Sequence, residues 1–193
     1  VAGLLLAAIQ QLEVAPLIRQ AEAFEAGPAG EAPSLLLTAA ANVVLATGFA
    51  LLLAGAMSLQ KRTGWRWGLL WGLAGYAAFF VAPAIGMPPE LPGAEGGALH
   101  GRQLWWVATT ASTAAGLALV VFAKPPALRI VGLVFIAMPQ FILAPQPHGH
   151  GGTAPATLTH DFIRAAYIAN AIFWLTLGAV AGALDKRSRD APP

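Results

Sequence analysis

The chain has no cysteine, few charges and none of the loop signatures by which soluble enzymes hold nucleotides or activate nucleophiles. Without cysteine there can be no disulfide, no thiolate metal site, no c-type haem attachment and no thiol nucleophile. Any metal must be held by imidazole, carboxylate or carbonyl groups. A Walker A loop, a dinucleotide fingerprint, a nucleophile elbow and an HExxH pair are also missing, so no enzyme activity is expected. Energy for any active transport would come from an ion gradient or another subunit. Charged residues make up only 10% against 57% hydrophobic, with a mean hydropathy of +0.65 over 193 residues. That is more apolar surface than a soluble core of this length could hide, so a lipid bilayer has to cover much of it. The net charge of +2 and pI near 9.4 do not indicate a nucleic-acid partner, because the basic residues are scattered between apolar runs and form no continuous phosphate-binding face.

A bilayer core of about 30 Å needs roughly 20 apolar residues per helix. Apolar runs of that kind place helices near 1–20, 34–59, 65–85, 103–123, 127–143 and 160–184. The expected fold is an all-α integral membrane protein, a bundle of about six transmembrane helices in a single domain over 1–193. The fifth helix is the shortest and is expected to be tilted or partly interfacial. The chain opens on Val1 within an apolar run, so a basic cytoplasmic segment is expected ahead of it. The rival reading, a cleaved signal peptide, lacks a small-residue cleavage site. No internal repeat stands out.

Lys61, Arg62 and Arg66, then Lys124 and Arg129, then Lys186, Arg187 and Arg189 fall in alternate connections and the tail, and therefore on one side. By the positive-inside rule that side is cytoplasmic, with both termini inside. The other connections are glycine- and proline-rich: GMPPELPGAEGGALHGRQ at 86–103 and APQPHGHGGTAPATLTHD at 144–161. Glu22, Glu25, Glu31, Glu90, Glu95, Asp161 and all four histidines fall on or beside this outer side.

Glu13 lies within the first span, with Gln10 one turn before it and Gln20 two turns after. A carboxylate at membrane depth needs pairing, protonation or water. It is a functional candidate, or else an interfacial acid near the outer end of a helix kinked at Pro16. Asn42 and Asn170 lie about 12–15 Å inside their helices. They could offer neutral oxygens to an ion, although hydrogen bonding between helices is the commoner use of such residues, Thr38 and Thr47 included. His148 and His150 are separated by one glycine, and His160 and Asp161 follow ten residues later. Imidazole with carboxylate suits a divalent transition metal, as an outer capture site. An exposed loop without fixed ligand geometry is the plain alternative. Trp65, Trp67, Trp71, Trp105, Trp106 and Trp174 read as an aromatic belt. Gly68 with Gly72, and Gly178 with Gly182, are small-xxx-small pairs that allow close helix packing.

Five segments carry a family resemblance: VAPLIRQAEAFE at 14–25, GLLWGLAGYAAFFVAPAIGMPPELPG at 68–93, RQLWW at 102–106, APQPHG at 144–149 and NAIFWLTLG at 170–178. In that order they resemble the CbtA family, described as a probable cobalt transporter subunit. The resemblance implies a multi-pass protein of the bacterial inner membrane linked to cobalamin metabolism. It also implies a small one-helix partner, a CbtB-like subunit with histidines at its outer end. The family pattern matches Glu13, Glu22, Glu25, Asn42, Pro88, Pro89, Glu90, Pro92, Arg102, Gln103, Gln146, Pro147 and Asn170. The expectation is a divalent-cation permease, with Co²⁺ as substrate and no firmly implied cofactor. In it, the outer acids Glu22, Glu25 and Glu90 and the loop histidines gather the ion, and Glu13, Asn42 and Asn170 line the path. The alternative is a non-catalytic structural or accessory subunit of a larger membrane complex. Membrane-embedded hydrolysis is weakest, because no histidine–carboxylate cluster sits at helix spacing within a span.

Overall fold

A computed structural model describes residues 1–24, 34–93, 98–142, 144–145 and 154–190. They form six helices: α1 (Ala2–Glu22), α2 (Leu35–Ser58), α3 (Trp65–Gly86), α4 (Leu99–Phe122), α5 (Pro126–Phe141) and α6 (Ala156–Asp190), with no strand among the described residues. All but α5 are long and apolar enough to cross a membrane. At a rise of 1.5 Å per residue, α5 reaches only about 24 Å and α6 about 52 Å. The protein is an all-α membrane protein. Helix α4 starts at Leu99 and α6 runs from 156 to 190, both further than their apolar stretches. Hydropathy marks what lies in lipid, whereas backbone hydrogen bonding carries a helix on into water until a residue such as Pro155 cannot continue it. The outer surface is what a bilayer requires: on α2, Leu36, Leu37, Val44 and Leu51 are exposed, while Asn42, Ala46, Leu53 and Met57 form its one buried stripe.

Cross-connections define the two ends of the bundle. Gly64 N–H donates to Gly182 O at 3.2 Å, and the Arg189 guanidinium donates to Gln60 O and Met57 O at 3.1 and 3.2 Å. The basic α2–α3 turn and the basic tail of α6 therefore share one end. At the other end, Ala21, Leu91, Leu158 and Phe162 form a separate buried cluster. Glu90 pairs there with Arg102 at 2.9 Å. We call these the basic and acidic ends.

Helices α3 and α6 form the spine. Gly68 and Gly72 lie directly against the backbone of Gly178 and Trp174, and a Cβ on Gly182 would come within 2.6 Å of Gly64 O. The same device joins α4 to α5, where a Cβ on Gly116 would come within 2.6 Å of Gly132 O. Around the spine, Phe49, Phe79, Phe173 and Trp174 make edge, tilted and stacked contacts with ring centroids 4.7–6.3 Å apart. This corrects the aromatic-belt expectation for Trp174, which is only 2% exposed and forms part of the core. Trp105 is buried as well, its indole N–H donating to Ile142 O at 3.3 Å. A tryptophan spaced to meet a glycine face packs there instead of at the interface, and the ring of Trp174 covers Gly75.

Two helices are broken in the same way. Val14-Ala15-Pro16 follows a π turn at Gln10–Val14 in α1, and Val81-Ala82-Pro83 follows a π turn at Ala77–Val81 in α3. In each, the alanine N–H reaches back five residues, Ala15 to Gln10 O and Ala82 to Ala77 O. Proline has no N–H to return to the preceding turn and its ring crowds that turn's carbonyl, so the helix widens by one residue.

Adding one methyl separates the glycines that matter from those that do not. Gly178→Ala should lower stability by about 1–3 kcal/mol, because backbone rather than a side chain must move. Gly55→Ala, with nothing within 4 Å of its Cβ position, should be neutral or stabilising by up to about 1 kcal/mol. Thermal unfolding of the detergent-purified variants checks both, and equal effects would mean that the α3–α6 contact is not the spine.

Candidate functional site

Several polar groups of the bundle lie near the level of the two breaks. At the α1 break, Asn42 Nδ2 on α2 donates to Gln10 Oε1 at 2.6 Å. One turn from Asn42, Ala46 belongs to the same buried cluster as Ala169, the neighbour of Asn170 on α6. The α3 break faces this part of α6 from the other side: Tyr76 OH donates to Tyr167 O at 3.1 Å, and the Phe80 ring meets the Tyr167 ring edge-on at 5.0 Å. Gln10, Asn42, Asn170 and both π turns thus belong to one stratum of the bundle. It lies on the acidic side of the Phe49, Phe173 and Trp174 cluster.

Within it, each residue expected on an ion path has a definite position. Asn42 is buried and tied to Gln10. Asn170 is half-buried and turns its Nδ2 to Ala166 O of its own helix at 3.0 Å, so it does not bridge helices as a buried amide commonly does. Glu13 is exposed. Gly3 packs on the backbone of Asn42, so antiparallel α1 carries Glu13 about 15 Å beyond that level, whereas α2 begins only about 10 Å beyond it. Glu13 is therefore at the acidic mouth of the stratum, one turn above Gln10. Among the outer acids, Glu22 is half-buried at the end of α1, and Glu90 is neutralised by Arg102. His160 and Asp161 are exposed near the start of α6, on helix rather than loop. His148, His150 and Glu25 lie outside the described residues. Among the described residues no group of three His, Asp or Glu side chains is placed to hold a metal ion.

Other polar groups escaped the sequence reading. Thr109, Thr110 and Thr113 on α4 are buried with no partner for their hydroxyls. Gln140 on α5 donates its amide to Ala82 O at 3.0 Å, beside the α3 break, and leaves Oε1 unpaired. Gln140 thereby ties α5 to α3 beside the break, at a carbonyl one residue before Pro83. The available signals were the run ATTAST, with Thr109 and Thr113 one turn apart, and the repeat of VAP at 14–16 and 81–83. The arrangement offers neutral oxygens inside and one carboxylate at the mouth, a set that can replace part of a cation's water without trapping it.

The Gln10–Asn42 bond gives a direct test. A double-mutant cycle of Gln10→Ala and Asn42→Ala should return a coupling of about 0.6–1.7 kcal/mol, the range for hydrogen bonds between membrane helices. Strictly additive losses of thermal stability would show that the two amides do not interact.

Comparison with known proteins gives one result for the family and none for individual proteins. No curated protein and no solved structure matches the chain. A family model described as "Probable cobalt transporter subunit (CbtA)" matches residues 1–186 of 193. A subunit implies a partner in a complex, and the apolar helices imply lipid around it. The chain belongs to the CbtA family of probable cobalt transporter subunits.

Proposed function

We propose that this chain is the membrane-spanning subunit of a Co²⁺ uptake system in the bacterial inner membrane, serving cobalamin metabolism, with the acidic end outward and both termini cytoplasmic. The observation that carries the reading is the polar stratum at two proline-broken helices, in a chain of the cobalt transporter family. Interrupted helices are a common place for an ion site in a transporter. Glu13 gathers the cation at the mouth, assisted by Glu22 and the outer-loop residues Glu25, His148, His150, His160 and Asp161. Gln10, Asn42 and Asn170 supply oxygen ligands below.

Passage toward the basic end is closed by Phe49, Phe79, Phe173 and Trp174. Conduction therefore requires these rings to move, or a second chain to open a route beside them. A carboxylate exposed on the outside of α1 favours the second chain. A one-helix, histidine-bearing partner of the CbtB kind would set imidazole opposite Glu13 and supply the nitrogen ligands that the described residues do not assemble.

The test is uptake of radioactive Co²⁺ by cobalt-starved cells lacking other importers. Uptake should require both this chain and the partner. Glu13→Gln should lower it at least about tenfold at limiting Co²⁺, the effect of losing roughly 1.4 kcal/mol of ligand interaction. Uptake unchanged in that variant at equal expression removes Glu13 from the path, and absence of any uptake removes the transport reading.

A further inference from the structure

We propose that the cleft between α2, α3 and the basic-end half of α4 is a binding site for an anionic glycerophospholipid of the basic-side leaflet. The α4–α5 hairpin meets α3 along its acidic half, where Phe79 lies against Trp106 and Trp105 against Gly86. Toward the basic end the hairpin stands off, leaving a cleft of about 880 Å³ whose lining includes the stacked Trp71 and Phe122 rings and continues past them to Trp67, Gln60 and Arg62. Leu52, Leu70, Leu73, Ala118 and Val121 line its walls and are themselves exposed, so the cleft is open sideways to the surrounding lipid.

Length decides between a lipid and a helix as the occupant. The α3 wall runs from Trp67 to Phe79, about 18 Å at 1.5 Å per residue. That is close to one leaflet, about half of the 30 Å hydrocarbon core, and the floor is sealed by Phe79 and Trp174. A partner's transmembrane helix would need a groove through both leaflets, whereas an acyl chain needs only one. The volume is also that of an ordinary ligand pocket, about 300–1,000 Å³.

The chemistry of the mouth fixes the headgroup. Arg62 and Gln60 are the polar residues of the lining, both at the basic end. The Arg62 guanidinium is stacked 4.3 Å from the Trp67 ring centroid, which holds it over the entrance. Gln60 Nε2 is buried there without an acceptor, although the residue's own carbonyl is taken by Arg189. A phosphate diester satisfies the guanidinium, and a turn of the half-buried Gln60 side chain offers its enclosed amide donor to a glycerol ester oxygen. The first turn of α3, a 22-residue helix beginning at Trp65, adds unpaired backbone N–H groups at the same end.

Native mass spectrometry of the full chain, stripped of lipid in detergent, tests the site. Phosphatidylglycerol and phosphatidylcholine with identical acyl chains are added in turn. The anionic lipid should be retained about fivefold more strongly, the preference expected from one basic side chain at the headgroup. Arg62→Gln should abolish that preference while leaving residual binding of both lipids. Ala118→Trp, which fills the cleft from an exposed position, should weaken both. Helical content and a single elution peak confirm that each variant is folded. Equal retention of the two lipids by the wild-type chain would overturn the proposal, as would adducts unchanged in both variants or self-association in place of lipid binding.

Discussion

The backbone contact between α3 and α6 is the interaction on which the rest of this protein depends. In lipid, apolar side chains gain little by leaving their surroundings for one another, so helices associate through close packing and hydrogen bonds. Gly68, Gly72, Gly178 and Gly182 let two backbones meet with no side chain between them, and the Gly64–Gly182 hydrogen bond closes the contact at the basic end. Rigid registration follows, because backbone cannot repack as side chains do. It sets the α3 break opposite Tyr167 and brings Trp174 over Gly75, where its ring becomes the floor of the polar stratum. Helices α1 and α2 are then fixed by what they can reach on α6: Leu6, Ala46, Leu53 and Met57 join Phe173 and Leu177 in one buried cluster.

Against this spine the two VAP segments have a common logic. Each breaks a helix that runs from the basic to the acidic end, and beside each break a glutamine side chain bonds to a neighbouring helix. Gln10 at the α1 break is held by Asn42, and Gln140 from α5 reaches Ala82 O at the α3 break. Neither bond reaches the carbonyl that the proline's missing N–H leaves behind, so each serves first to join two helices beside a break. The groups left over mark where function can lie. Among the described residues these are Gln140 Oε1 and the hydroxyls of Thr109, Thr110 and Thr113, with Gln60 Nε2 and Asp185 Oδ2 toward the basic end.

How much of this was legible in the sequence depends on the range of the interaction. Helices and sides are local properties, and composition over some twenty residues decides them. The spans and the alternation of Lys61, Arg62 and Arg66 with Lys186, Arg187 and Arg189 read directly, and the glycine pairs announced a close contact. The register between helices is not local. Nothing in the apolar run around Trp174 distinguishes a ring at an interface from one lying on glycine. Likewise Glu13 reads as a carboxylate inside a span, and only the contact of Gly3 with Asn42 shows that α1 carries it beyond the start of α2. Asn42 and Asn170 look alike in sequence, yet one bonds across to Gln10 and the other to its own helix. The unpaired threonines were missed because a hydroxyl in a helix usually finds a carbonyl one turn back, and only the structure shows that these do not.

Neutral oxygens suit the proposed task better than a tight metal centre would. A site of several imidazoles and carboxylates binds divalent transition metals strongly and releases them slowly, whereas throughput needs binding just favourable enough to replace hydration. On the proposed reading the charges are divided to this end. Carboxylates concentrate the cation at the acidic mouth, the interior carries amides and hydroxyls, and the basic end repels a cation that has arrived and speeds its departure. Neutral oxygens discriminate poorly among divalent ions, so on the same proposed reading selection for cobalt comes from nitrogen ligands brought to Glu13 from outside α1. So read, the chain depends on its partner for selectivity, in keeping with a family of transporter subunits.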